Sequence, residues 1–436
     1  MTQPIKTLQA VTAEWPHYQA DNLSVADAAA LLSRMVQPMA PCSENTELLS
    51  LQDCLGRILA QSVVSPVNVP PHNNAAMDGY AFNASALQSV PVGADLLQLP
   101  VVGTVLAGQV WSGSVGAGAC IKIMTGAPLP PEVDTVVPFE QVSFTSTPLP
   151  SIALKPQQIK KGDHCRLLGE DMQAGAIALQ QGERLTPAAL GLVASLGIGQ
   201  LPVLRRLRVA YFSTGNELLS LGEAPRAGAV YDSNRYTLQG LLTNLGCTVI
   251  DMGAVRDDPA LLQAAFVQAA AQADVVITTG GVSTGDADVT HSFLQHLGEV
   301  LYWKLAMRPG RPMAVGRMGQ ALLLGLPGNP VAAMVNFLAL VRPTLLRLMG
   351  ARAVPLPRLQ ARSLEAIHKK PGRTEYVRGI LSNHADGTLQ VQSTGSQGSG
   401  LLSSMVHANC LMVLPPQQGH VAVADLVEVW MLQGFA

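Results

Sequence analysis

Charge is scarce in this chain, and so are aromatic rings. Charged residues make up 13% of the sequence and aromatic residues 4%, and the two signs nearly cancel at a formal net charge of −2. No run of lysine and arginine marks a nucleic-acid surface. The six cysteines, Cys42, Cys54, Cys120, Cys165, Cys247 and Cys410, stand singly. None forms a CxxC pair, so neither a zinc cluster nor a disulfide framework is expected. The pattern fits reduced, mostly buried thiols of a cytoplasmic protein. No histidine pair has helical metal-ligand spacing (His291 and His296 are five apart), and no GxSxG nucleophile elbow is present.

Uninterrupted hydrophobic runs are missing too. ALLLGLPGNPVAAMVNFLALV (321–341) has a membrane-spanning length, but Pro327-Gly328-Asn329-Pro330 divides it. A break there would leave backbone groups unsatisfied in lipid. The segment therefore predicts a buried strand, a tight loop and a helix starting near Pro330, with no membrane span. The opening MTQPIKTLQAVTAEWPHYQA has no apolar core of signal-peptide length, and residues 1–22 are expected to be a flexible extension.

What is present is apolar bulk. Over 436 residues, 48% are apolar and the mean hydropathy is +0.25, which suits two to four well-buried domains. Ser24 to Met35 predicts a helix, with Ser24 as cap and Asp27 in the first turn. A second helical or mixed stretch is expected near 47–59. Residues 83–163 alternate short β-branched runs with Gly and Pro, the pattern of an all-β module. Residues 180–203 return to helix, with Thr186 as cap and Pro187 in the first turn. Residues 206–350 alternate strands (near 208–213, 247–252, 274–279, 299–305, 312–317 and 321–326) with helices (near 234–245, 259–272, 289–297 and 330–349). That is a doubly wound α/β domain. Residues 355–436 hold short strands and turns, including Ala385-Asp386-Gly387, and predict a small barrel or sandwich.

Within the α/β segment, acid- or glycine-rich loops follow apolar strands. FSTGNEL carries Glu217, VRDDP carries Asp257 and Asp258, and TTGGVSTGDADVT carries Gly280, Gly281, Asp286 and Asp288. Loops at the carboxyl ends of parallel strands line one crevice. Glycines let backbone approach phosphate, and acids beside phosphate imply a divalent cation. A phosphorylated substrate held with Mg²⁺ is expected. Asp258, before Pro259, is expected to cap a helix, while Asp257 and Asp288 are expected to serve the cation. Lys304, Arg308 and Arg311 border a Pro-Gly turn and suggest an oxyanion site. Gly325, Pro327, Gly328, Asn329 and Pro330 precede a helix N-terminus, where anions are favoured. Asp78 and Thr125 sit in turns of the β segment, where turn formation competes with a site role. In TGSQGSGLLSS (394–404), hydroxyls with Arg378 on the preceding hairpin also suit a tetrahedral oxyanion.

Ten motifs in order, NNAAMDGYAF, IKIMTGAP, LLGEDMQAG, FSTGNEL, YDSNRY, VRDDP, TTGGVSTGDADVT, WKLAMRPGRP, GLPGNPVAA and PGRTEYVRG, resemble the molybdopterin molybdenumtransferase family. That family includes the bacterial MoeA proteins and the E-domain of gephyrin. The resemblance runs from about residue 24 to the C-terminus. It implies a homodimer with four domains per chain: a mixed α+β stem (23–66 and 165–205), a β-rich inserted domain (67–164), a doubly wound molybdopterin-binding domain (206–353) and a C-terminal β-barrel (354–436). It implies Mg²⁺-dependent insertion of molybdate into adenylylated molybdopterin with release of AMP, at a site shared between subunits. It also admits contacts with molybdopterin adenylyltransferase and molybdoenzyme apoproteins. Adenylylation of molybdopterin and a gephyrin-like scaffold are the competing readings.

Carried over by motif, Asp78, Thr125, Asp171, Glu217, Lys304 and Arg308 would be catalytic. Glu217, Asp257 and Asp288 would hold the metal. Ser213, Thr214, Gly215, Gly280, Gly281, Ser283, Pro327, Gly328, Asn329, Pro330, Arg378 and Ser399 would bind substrate. Two positions depart from the family pattern: Asn216 replaces an acid, and Arg308 and Arg311 replace lysines.

Overall fold

The computed structural model describes residues 7–89, 95–281, 299–352 and 355–432. The α/β domain follows from near-continuous apolar strands. Its strands are β1 (Arg208–Thr214), β2 (Thr248–Val255), β3 (Val275–Thr279), β4 (Glu299–Lys304), β5 (Pro312–Met318) and β6 (Ala321–Leu326). They order as β2-β1-β3-β6-β5-β4. The first four run parallel and β5 runs antiparallel to both β6 and β4. Every residue of β3 and β6 is buried, as a sheet covered on both faces requires.

One face packs Tyr211 and Ile277 under the helix Ser233–Leu245. The other sets Phe212 against Phe266 of the helix Pro259–Gln272, ring centroids 5.0 Å apart. Asp258 caps that second helix by accepting from the backbone N–H groups of Ala260 and Leu261 at 2.9 and 3.0 Å. The helical stretch 330–348 is long and apolar enough to cross a membrane by composition, but most of it is buried in this core. Thr214, Thr279, Leu326 and Lys304 all end at one edge of the sheet.

At the opposite edge, Asp274 ties two strands together. Its carboxylate accepts from Arg205 at 2.7 and 3.0 Å, from the Arg208 guanidinium at 2.9 Å and from the Arg208 backbone N–H at 2.8 Å. Burial alone would raise its pKa; the bonds from Arg205 and Arg208 overcome that and hold it at about 2. A depressed carboxyl stabilises the fold above its unfolded value of 3.8, and that contribution fades as pH falls through about 2. Asp274→Asn should cost about 2 kcal/mol at neutral pH. Urea unfolding at pH 7 and at pH 2.5 checks this: the loss should shrink in acid, and an equal loss at both would count against it.

The segment expected to be a flexible extension is instead fixed from residue 7 on. Leu8–Ala13 is helical, and Leu8 and Val11 are buried in the main core. The Leu8 N–H donates to Glu299 Oε2 at 2.9 Å, and Trp303 Nε1 donates to Tyr18 Oη at 2.9 Å. The segment covers the outer edge of β4, an edge that would otherwise present unpaired backbone groups.

The stem opens with helix Val25–Met35, capped by Ser24 as expected. Residues 46–53, expected to be helical or mixed, form a strand, Thr46–Ser50, and a short 3₁₀ turn. That strand pairs with Gln200–Leu204, so the chain leaves the stem and returns to it around the β module. In the module, Gly79–Phe82 lies between Cys120–Ile123 and Thr135–Pro138. A Cβ at Gly79 would sit 2.1 Å from the Val137 carbonyl oxygen, so only glycine fits there. At the C-terminus, strands Arg358–Ser363, Thr374–Asn383, Leu389–Ser393, Cys410–Leu414 and Leu426–Met431 close into a barrel. Met307–Arg308 pairs with Thr374–Glu375 of this barrel and so fixes it against the α/β domain.

Candidate active site

A cleft of about 640 Å³ opens where the strand-end edge of the α/β domain meets the barrel. Gly280, Gly281, Pro327, Gly328 and Asn329 line one side; Arg308, Pro309, Gly310 and Pro312 line a second; Gln397, Gly398 and Ser399 come from the barrel. The walls are rigid because prolines fix φ. They are close-fitting because a Cβ at Gly280 (φ +86°) would meet the Thr214 carbonyl oxygen at 2.4 Å. The Gly280 N–H is already bonded to the Leu326 carbonyl at 3.1 Å. This glycine therefore serves close approach, and its own amide is not available to an anion. The helix that begins at Pro330 is tied in the same way: the Val331 N–H donates to the Ser399 carbonyl at 3.2 Å, which joins the barrel loop to the helix.

Ser213 and Thr214 do not face this cleft. Both are buried in β1, and the Ser213 hydroxyl accepts from Thr279 Oγ1 at 3.0 Å. Ser213 ties β1 to β3 through Thr279, and the structure places neither residue on the cleft, where substrate binding was expected. Gly215 (φ +154°) turns the chain so that the Glu217 carboxylate folds back over it. Glu217 is exposed; its backbone carbonyl accepts from the Val230 N–H at 2.9 Å, and its carboxylate makes no hydrogen bond or ion pair among the described residues. Asp257 lies on the adjacent loop, where it and Asn216 bond reciprocally. The Asn216 N–H donates to Asp257 Oδ2, and the Asp257 N–H donates to Asn216 Oδ1, both at 3.2 Å. Asn216 thus clamps the two acidic loops together. Asp288 and Ser283 lie outside the described residues. Among the described residues no group of three or more His, Cys, Asp or Glu is arranged to hold a metal. Two carboxylates from neighbouring loops nevertheless suit Mg²⁺, which keeps waters and takes substrate phosphate oxygens.

The expected basic pair separates. Arg308 lines the cleft, whereas Lys304 does not and is ion-paired with Asp21 at 2.7 Å. Arg378 stands behind the barrel loop. Its side chain is 1% exposed; Nε donates to Ser404 Oγ at 3.0 Å and Nη2 to the Gly398 carbonyl at 2.9 Å. It lines a smaller cavity of about 260 Å³ that shares Arg308, Pro309 and Gln397 with the cleft, while Ser399 faces the cleft itself. Burial, and secondarily the nearby Arg308, lower the Arg378 pKa. Arg378 and Ser399 therefore act from two sides of one loop, not as a single pair of donors.

Asp78 and Thr125 are brought together on the β module. Asp78 Oδ1 accepts from the Thr125 N–H at 2.7 Å and from its hydroxyl at 2.8 Å, which holds the carboxyl below its usual range. Both are exposed, and no residue of the module lines the cleft. Asp171 is exposed on the stem, also away from the cleft.

Three family models match the chain in succession: the MoeA N-terminal region (domains I and II) over residues 23–197, a probable molybdopterin binding domain over 210–347, and the MoeA C-terminal region (domain IV) over 360–432. A molybdopterin molybdenumtransferase of Haemophilus influenzae is 39% identical over 398 residues, 91% of this chain and 96% of that one. The chain belongs to the molybdopterin molybdenumtransferase family. It is therefore a transferase of molybdenum cofactor biosynthesis. Molybdopterin molybdenumtransferase 2 of Mycobacterium tuberculosis is 35% identical over 94% of this chain and 99% of its own length. The molybdopterin biosynthesis MoeA protein of Pyrococcus horikoshii OT3 superposes with a TM-score of 0.77 at 25% identity, covering 94% of this chain and 99% of that chain. The cleft falls between the second and third family regions, so neither region alone builds it.

Several residues that build the site carried no signal strong enough to single them out in the sequence. Asn234, buried, donates from Nδ2 to the Gly328 carbonyl at 2.7 Å and so sets the cleft loop. Gln397 lines the cleft while its Oε1 accepts from the Arg378 backbone N–H at 2.9 Å. The motifs YDSNRY and TGSQGSG contained both, but amide side chains in polar segments do not announce which carbonyl they will hold.

Proposed function

We propose that this protein inserts molybdate into adenylylated molybdopterin, with Mg²⁺, and releases AMP. The two-sided cleft carries the reading. Its α/β wall, at the strand ends, suits a phosphorylated pterin. Its barrel wall offers the Ser399 hydroxyl, with Arg308 between the walls, and suits a tetrahedral dianion. Glu217 and Asp257 would hold Mg²⁺, which would supply charge neutralisation at the pyrophosphate link. The chain's own contribution is positioning: Asn216 spaces the two acidic loops, Asn234 sets the Gly328 loop, and prolines keep the walls from yielding. The inserted β module, whose Asp78–Thr125 pair is built but does not line the cleft of its own chain, supports a homodimer in which that pair serves the partner's cleft. Six free thiols support a cytoplasmic setting.

Adenylylation alone would have no use for the Ser399 hydroxyl, which the barrel supplies. A purified-protein assay with adenylylated molybdopterin, Mg²⁺ and molybdate decides the matter. AMP release should require molybdate. Equal release without molybdate, or none with it, would overturn the proposal.

A further inference from the structure

The N-terminal segment ends on Lys304, a charged residue next to the cleft wall but not in it. Four contacts fix its course along β4. Leu8 is held by Glu299 and Tyr18 by Trp303; the Leu23 N–H donates to the Lys304 carbonyl at 3.2 Å, and the Ala306 N–H donates to the Leu23 carbonyl at 2.7 Å. Between Tyr18 and Leu23, the turn Ala20–Asn22 presents the Asp21 carboxylate to Lys304 Nζ at 2.7 Å. Asp21 is 83% exposed and Lys304 40%, so the pair contributes little to folding. Lys304 ends β4 directly opposite Pro312, a residue of the cleft wall. Arg311 follows the same turn, and its charge also reaches Asp21.

An ammonium at the rim of a cleft for an anionic substrate is thus already occupied by a carboxylate from the chain's own N-terminal strap. We propose that Asp21 is a counter-ion latch on Lys304, displaced when the phosphate groups of the substrate enter, and that it sets substrate affinity. The inference rests on the proposed function for the identity of the substrate, but not for the latch itself. The bond from Lys304, first, and the charges of Lys304 and Arg311 hold the Asp21 carboxyl below its usual range, so the latch is ionised wherever the enzyme is folded and near neutral pH. Displacement exchanges one anion for another on the same ammonium and leaves the strap's backbone contacts in place.

Asp21→Asn keeps the shape and removes the charge. The variant should bind adenylylated molybdopterin about two- to fivefold more tightly, read as a lower KM with kcat held. The gain should shrink at high salt, because the competition is between exposed charges. Inorganic pyrophosphate, titrated by calorimetry, is the probe independent of turnover. Asp21→Asn should tighten it by a similar factor, and the gain should vanish in a Lys304→Gln background. An unchanged pyrophosphate affinity, or a gain that survives in Lys304→Gln, overturns the latch. A raised KM overturns it as well, since it would make Asp21 an orienting group. If pyrophosphate responds as expected but molybdate-dependent AMP release is absent from the parent protein, the latch stands and the proposed reaction fails.

Discussion

Replacing Arg378 with methionine should leave the protein as stable as before, yet raise the molybdate concentration needed for half-maximal AMP release about ten- to a hundredfold. The two halves of this expectation come from one observation. Arg378 is 1% exposed, and among the described residues no carboxylate lies within ion-pair distance of it. Its bonds go to neutral acceptors, Ser404 and the Gly398 carbonyl. A buried charge without a counter-charge is costly, and exchanging buried ionic groups for apolar ones of similar volume is often neutral or stabilising. Methionine fills most of the space and adapts to it. Alanine would leave a cavity costing about 2–5 kcal/mol and would confuse the comparison. What the cation would supply instead is attraction for a dianion, a charge-assisted interaction of about 1.5–3 kcal/mol. Thermal unfolding and a molybdate titration on the same preparation test both halves. A methionine variant that loses stability and keeps its molybdate dependence would show Arg378 to be a strut for the 396–399 loop and nothing more.

The way Arg378 is held also shows where sequence reading stops. Local chemistry was legible: Asp258 before Pro259 and Thr186 before Pro187 cap helices as expected, because a cap is decided within three residues. The strands of the α/β domain were legible because burial on both faces writes a continuous apolar run. The same property hid the orientation of Ser213 and Thr214. Without alternation, nothing in RVAYFST tells which end residues emerge, and both proved buried. The N-terminal segment was misread because its two anchors, Leu8 and Val11, are few among polar neighbours, and their partners lie on β4, nearly 300 residues away. Asn216, read as the loss of an acid, is a clamp on Asp257; that reading needs the parallel register of β1 and β2. The strand-end crevice was expected, and so was a contribution from Ser399 and Arg378; what sequence could not give is the contact that sets the barrel across from the crevice, because the pairing of Met307–Arg308 with Thr374–Glu375 is a tertiary fact.

Mixing two inactive variants should restore activity. Asp78→Asn and Glu217→Gln should each release AMP at less than about a hundredth of the parent rate, the usual scale for losing a group that acts in the transition state. After subunit exchange, the mixture should recover about a quarter of parental activity. Random reassortment makes half the dimers mixed, and each mixed dimer holds one intact site of its two. The expectation follows from where the chain puts the two carboxylates. Glu217 lies in the loop after β1, at the strand-end edge of the sheet, and its exposed carboxylate makes no hydrogen bond or ion pair among the described residues. Asp78 is fixed by two bonds from Thr125 on a module that contributes nothing to the cleft of its own chain. A carboxylate locked in place and exposed, away from its own chain's cleft, is explained if the partner's cleft is what it faces. Exchange is followed with differently tagged chains, so that failure to exchange is seen directly. Recovery near a quarter places the residues in one site built by two chains. Demonstrated exchange with no recovery would place Asp78 and Glu217 in the same chain's site, and would require the β module to swing toward its own cleft during turnover.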